Sequence, residues 1–357
     1  MTSRLETLLD EMEKRGATSL HVVAGRPPFG RQGRALVQLE DEPVPSGDAD
    51  RLLEELLGPD QLARLAVERR LTCSVDRAGV RYRASVTRAA SGASVVLRSI
   101  PTRVPSLAQL GCPEALWRLA DGRAGLVLVV GPAGSGKTTT AAAILDQVNK
   151  TRACHVVTIE DPIEVVHEPR RAQISQRELG THAPSRDAAL RQVGRDEVDV
   201  VYVGDVPAAA GAALCELASS GMLVVATMVA SSVVDGIERL LTGEVPAAPS
   251  LRGALAESLV AVVGQRLLLP TEGRSGVVAH EILLRSPTVS TAIREGHTPQ
   301  LVSVMQSGAA AGMQSHDMAL ERLLTLGRIT ASAALEAAAD REVIAKVVAR
   351  LGGSRAS

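Results

Sequence analysis

Gly125-Leu126-Val127-Leu128-Val129-Val130-Gly131-Pro132-Ala133-Gly134-Ser135-Gly136-Lys137-Thr138-Thr139-Thr140-Ala141-Ala142-Ala143-Ile144-Leu145 is the stretch that decides what this chain can be. An apolar run of strand length enters a glycine loop, and a helix-forming run leaves it. The loop fits G-x-x-x-x-G-K-[ST], the phosphate-binding P-loop. Its glycines let backbone N–H groups turn inward around a polyphosphate, and the helix behind adds the positive end of its dipole. The pattern assigns Gly131, Gly134, Ser135, Gly136, Lys137, Thr138 and Thr139 to a nucleoside triphosphate, with Lys137 reaching the β- and γ-phosphates and the Thr138 hydroxyl on Mg2+. The alternative is a glycine turn that holds nothing. The strand before it and the helix after it both count against that.

A hydrolase also needs groups that hold the metal and the attacking water. Downstream, Thr158-Ile159-Glu160-Asp161-Pro162-Ile163-Glu164-Val165-Val166-His167 places Glu160, Asp161 and Glu164 at the end of a predicted strand, where open α/β sheets gather ligands. These carboxylates are read as metal or water-positioning groups, Glu160 and Asp161 with Thr138 on Mg2+; a helix cap or surface turn is the plainer option. The run Val198–Gly204 ends in Asp205, the place of a Walker B acid. The next segments, Val206–Gly211 and Met222–Val229, carry no evident chemistry, although the second ends where a γ-phosphate sensor is expected.

Around this centre the chain divides. Residues 1–100 mix short helices and alternating strands and read as a small α+β domain. Its first helix opens on the capping box Ser3-Arg4-Leu5-Glu6. In Val80–Arg88, Val80, Tyr82, Ala84 and Val86 share one face, and Arg81 and Arg83 lie on the other. Those arginines are either a solvated face or a basic surface turned toward phosphate. Prolines and glycines in 101–122 read as a linker, 123–345 as the α/β nucleotide domain with C-terminal helices, and 346–357 as a tail. Apolar strand runs alternating with helical runs predict a parallel sheet covered on both faces.

Of the 357 residues, Lys and Arg number 39 against 40 Asp and Glu, so no basic field points to nucleic acid or an anionic membrane surface. The four cysteines are scattered and fit a reducing compartment. The longest apolar run is short and rich in Ser and Thr, so no membrane span and a cytoplasmic location are expected.

These residues together resemble the PilT-type retraction ATPases of type IV pili, a branch of the secretion-ATPase superfamily. The resemblance runs through Ser19-Leu20-His21, the P-loop, the Asp box Thr158–His167, Ile174–Glu178, Ala189-Leu190-Arg191, Glu257–Leu267, Ile293–Gly296 and Gly312–Asp317. It implies a PAS-like N-terminal domain ahead of a RecA-like P-loop NTPase domain, assembled as a hexamer. Arg81, Arg83 and Arg98 fall at family positions that touch nucleotide across a subunit boundary, and Glu164 falls at a catalytic glutamate. The resemblance further implies an inner-membrane pilus platform protein as partner, met by the Gly312–Asp317 run, and a peripheral position at that membrane.

Departures from the family accompany it. The family Walker B ends in Gly-Glu followed by Met or Ile, Arg and Asp, whereas this chain has Gly204-Asp205-Val206-Pro207-Ala208. Two family histidines correspond to Met222 and Val229, and one further arginine to Ser91. Asp205 and Glu164 are thus the candidate catalytic pair, with Asp205 one methylene short. Two functions follow: a retraction motor with reduced turnover, or a non-hydrolysing subunit that joins a homohexamer or a mixed hexamer with an active paralogue. An assembly ATPase fits less well, because no paired C-x-x-C motif is present.

Overall fold

The computed structural model describes residues 3–32, 35–77, 79–100, 104–243, 249–271 and 276–353. It consists of two compact units, Met1–Arg103 with Asp161–Val166, and Val104–Glu160 with His167–Ser357.

In the first unit, the helix Arg4–Lys14 is capped by Ser3, whose hydroxyl accepts from Glu6 N–H while the Glu6 carboxylate takes Ser3 N–H. The strands are β1 (Ser19–Val23), β2 (Phe29–Gln32), β3 (Ala35–Gln38), β4 (Arg70–Arg77), β5 (Val80–Ala89) and β6 (Gly92–Ser99). They form one antiparallel sheet in the order β3-β2-β1-β6-β5-β4. Alternation decides its faces. Leu20, Val22, Tyr82, Ala84, Val86, Val95 and Leu97 are buried in one core with Leu8, Leu53 and Leu65 of the helices Arg4–Lys14, Ser46–Leu56 and Pro59–Glu68. The arginines between them are left on the other face.

The second unit is built on β7 (Gly125–Gly131), β8 (His155–Glu160), β9 (Gln173–Glu178), β10 (Val200–Val203), β11 (Leu223–Val229), β12 (Leu259–Leu268) and β13 (Val277–Leu284). Their order is β13-β12-β7-β11-β10-β8-β9. All neighbours are parallel except β12 and β13. Every residue of β7 is buried. Leu126, Leu128 and Val130 enter the core on one side of the sheet, Val127 and Val129 that on the other. Such a doubly covered strand is why the sequence reads as an unbroken apolar run.

Three boundaries differ from the sequence reading. From Val104 onward the stretch taken as a linker belongs to the second unit: Leu107, Leu116, Leu119 and Ala120 are buried with Val127 and Val129. Residues 101–103 lie outside the described residues. Asp161–Val166 groups with the first unit although it interrupts the second in sequence. The stretch taken as a tail from 346 is helical through Gly353, because Ile344 and Val347 pack into a core with Leu320 and Ala334; 354–357 are outside the described residues.

Candidate functional site

β7 delivers the chain into the glycine loop, and the helix Lys137–Thr151 begins directly after Gly136, whose φ is 91°. Gly134, at φ 76°, likewise takes a backbone shape that side-chain-bearing residues avoid. The Lys137 side chain folds back, its Nζ donating to the Gly131 carbonyl at 3.0 Å and the Pro132 carbonyl at 2.9 Å. Ser135 is 2% exposed, and its hydroxyl has no protein partner among the described residues. A buried polar group left so costs about 1–3 kcal/mol until a ligand or water satisfies it. A Cβ on Gly131 would stand 2.4 Å from the Gln265 carbonyl oxygen, so β12 presses directly against the loop. The same Gln265 donates from Nε2 to Thr140 Oγ1 at 2.7 Å, which ties β12 to the first turn of the helix. Thr138 is half-buried and Thr139 exposed at the helix start. This cradle suits a polyphosphate. Among the described residues no group of three His, Cys, Asp or Glu side chains is spaced to hold a metal.

The ends of β8, β10 and β11 carry the second group of residues. Glu160, 4% exposed, accepts from Thr158 Oγ1 at 2.7 Å and from Gln176 Nε2 at 3.4 Å. Gln176 Oε1 in turn accepts from His167 N–H at 2.8 Å. Burial holds the His167 imidazole below its usual range against the opposing pull of Asp146, so it is neutral at pH 7. Asp205 is exposed, with φ at 46°. Its N–H donates to Thr227 Oγ1 at 2.8 Å, and Arg186 Nη2 donates to the Gly204 and Asp205 carbonyls at 3.3 Å each. Sequence reasoning passed over both partners. The only signal was Thr227 itself, the one hydroxyl in Leu223–Val229.

The two positions where the family has histidines do not act at one place. Val229 is the register partner of Gly131 at the loop end of the sheet. Met222 lies before β11 and accepts from Gly125 N–H, at the other end of both strands. At about 3.3 Å per residue, that is roughly 20 Å from the loop. Of these two positions, Val229 is the one at the loop end of the sheet.

In the first unit, Arg83 Nη1 is ion-paired with Glu164, and Ser74 Oγ donates to the Ile163 carbonyl at 2.9 Å. Arg81 pairs instead with Asp76 at 3.1 Å. Arg98 is exposed and lies directly across from Arg83 on one side and Ser19 on the other. Arg31, which the sequence did not single out, is opposite Ser19 on the next strand. One transverse row therefore carries Arg83, Arg98 and Arg31. Of these, Arg83 and Arg98 are directly opposed, and Arg83 is already paired with Glu164. Asp161 is exposed in this unit. The predicted residues thus fall into two sets. The loop, Glu160 and Asp205 belong to the second unit; Arg81, Arg83, Arg98, Asp161 and Glu164 belong to the first.

Within the run Gly312–Asp317, Met313 and Ser315 are buried and Gln314 exchanges backbone hydrogen bonds with Ile282 at 2.7 and 2.9 Å. No helix among the described residues is long and apolar enough to cross a membrane.

Comparison with known proteins agrees with this geometry. The family model for type II/IV secretion system protein matches residues 61–310. A type IV pilus retraction ATPase, PilT of Pseudomonas aeruginosa, is 35% identical over 335 residues, 93% of this chain and 97% of that one. A twitching motility protein of Neisseria gonorrhoeae is 39% identical over 266 residues, 73% of this chain and 71% of its own. A crystal structure of the pilus retraction motor PilT with bound ADP superposes with a TM-score of 0.86 at 31% identity, covering 96% of this chain and 98% of that one.

Proposed function

The chain belongs to the type II/IV secretion system protein family, on its PilT-type retraction ATPase branch, and from that premise we propose that it is an ATP-binding motor subunit of type IV pilus retraction with slow turnover. The observation that carries the reading is the cradle: left-handed glycines, a folded-back Lys137 and the unsatisfied Ser135 hydroxyl converge at one helix N-terminus. Phosphate oxygens would take over the Lys137 ammonium from the two loop carbonyls and satisfy Ser135. Thr138, with Glu160 or Asp161, would hold Mg2+, whose positive charge offsets that developing on the transferring phosphoryl group. Glu164 would orient the attacking water and Asp205 would assist from the end of β10.

Turnover is slow in this reading because Asp205 is shorter than glutamate and Val229 offers no polar atom beside the loop. Those two features also support a second reading, a nucleotide-holding subunit that hydrolyses little within a ring completed by an active paralogue. Phosphate release from Mg2+-ATP, measured beside a Lys137→Ala control, separates them. Release equal to the control removes the motor reading, and tight ATP binding without release supports the second.

Six subunits would close a ring in which Arg81, Arg83 and Arg98 reach nucleotide on a neighbour, and an inner-membrane platform protein would be the partner outside it. ATP should therefore promote the hexamer. Sedimentation as a monomer both with and without nucleotide would count against the ring.

A further inference from the structure

Building on the hydrolytic reading above, we propose that Arg186 and Thr227 are positioning residues that fix the turn carrying Asp205 and so aim its carboxylate. Asp205 has a left-handed backbone without being glycine. That shape costs on the order of 1 kcal/mol and persists where the surroundings over-determine it. Here they do. Gly204 N–H donates to the Ile159 carbonyl at 2.9 Å, and Val206 N–H to the Thr227 carbonyl at 2.8 Å. Asp205 N–H goes to the Thr227 hydroxyl, and the Gly204 and Asp205 carbonyls both go to Arg186 Nη2. Every backbone polar group of Gly204 and Asp205 is therefore committed. The exposed carboxylate has no protein partner among the described residues and is left for a ligand.

The two side chains come from distant parts of the sequence. Thr227 is 2% exposed in an otherwise apolar strand. Arg186 is the first residue of the helix Arg186–Val193. The segment after Asp205, Val206-Pro207-Ala208-Ala209-Ala210, has no polar side chain that could do either job. Arg186 also keeps its Nε buried without a protein partner among the described residues. A guanidinium placed for its own solvation would not accept that cost. Its location is explained by the two carbonyls it holds.

The test uses the full chain with Arg186→Ala, Arg186→Lys, Thr227→Val and Thr227→Ser. Steady-state kinetics give kcat and the KM for ATP, and hydrogen exchange is followed on peptides covering Gly204–Val206. Arg186→Ala and Thr227→Val should each lower kcat about tenfold, with KM moved less than about twofold, because they misalign a group without touching the cradle. Thr227→Ser keeps the acceptor and should restore kcat to within about twofold of the parent, with Arg186→Lys intermediate. Exchange at the turn should quicken in the Ala and Val variants while the loop from Gly131 to Lys137 is unchanged. A kcat within about twofold of the parent in both Arg186→Ala and Thr227→Val overturns the proposal, as does unaltered exchange at the turn. Should the parent itself release no more phosphate than Lys137→Ala, the hydrolytic reading fails, and with it the aiming of a catalytic carboxylate. The exchange data would then still decide separately whether the two side chains hold the turn.

Discussion

The glycine loop and the Asp205 turn lie at the same end of one sheet, but they are held in different ways. The loop is held mainly by backbone and packing: β7 is buried from end to end, β12 presses its Gln265 carbonyl onto Gly131, and Lys137 closes onto loop carbonyls. The turn depends on two side chains, Thr227 and Arg186, and it presents an exposed carboxylate in a costly backbone shape. Backbone-made sites tolerate most substitutions around them, and here the Lys137 ammonium is the exception. Side-chain-made sites lose function one residue at a time. A chain can therefore keep its grip on triphosphate while its means of splitting it weakens.

The sharpest way to break this contrast is at Lys137. If the loop alone grips phosphate, Lys137→Ala should weaken ATP binding and lower phosphate release by at least about 100-fold, the range in turnover for removing one donor from a preorganised oxyanion site. Equilibrium binding of a fluorescent ATP analogue reads the first and phosphate release the second. Affinity within about threefold of the parent would mean that the grip lies elsewhere and that the comparison is drawn between the wrong regions.

A second test asks whether the loop side of the sheet has its own weakness. His280 on β13 is the register partner of Gln265, is 4% exposed and is pushed by burial to about 4. Its value is depressed in the folded state, so as acid is added the unfolded chain takes the proton first. The stability this site contributes is complete above about pH 6.5 and is lost as pH falls toward 4. At 1.36 kcal/mol per unit the loss approaches roughly 3 kcal/mol by pH 4. Urea unfolding of the parent and of His280→Gln at pH 7 and pH 4.5 should show a shallower acid loss in the variant. Equal losses in the two proteins would remove His280 as the cause.

How much of this could be read from the chain depends on the reach of each signal. The loop was legible because its chemistry lies within eight consecutive residues, Gly131–Thr138, between an apolar strand and a helix. The placement of Glu160 and Asp205 at or just past strand ends was legible because the apolar runs before them are continuous. The partners of Asp205 were not, since Thr227 reaches it only through the parallel order of β10 and β11, and Arg186 only through a helix laid beside them. Arg31 joins Arg83 and Arg98 only once the strand register is known. Met222 was grouped with Val229 because a motif gives spacing along the chain, and the length of β11 then carries the two apart. The stretch from Val104 was read as a linker on its prolines, while its burial comes from Leu107, Leu116 and Leu119 packing on the far face of β7.

The smallest expected effects are at the turn and beside it, and they are the ones that divide the turn from the loop. Asp205→Glu returns a methylene of reach, which should raise kcat about tenfold if alignment of water or metal is what the aspartate lacks. Glutamate tolerates a left-handed backbone less well than aspartate, so the gain should come with a loss of under about 1 kcal/mol in stability. Val229→His places an imidazole opposite Gly131, where an apolar side chain is now 44% exposed, and should add about threefold alone. The double variant carries the argument. If both side chains act on the same phosphoryl group, their effects should exceed the product of the singles, since contacting groups in one network couple. A strictly multiplicative result, with ATP affinity unchanged throughout, would mean that the turn and the end of β11 are separate devices. A fall in affinity with either substitution would erase the division, because the loop would then no longer bind independently of the groups around it.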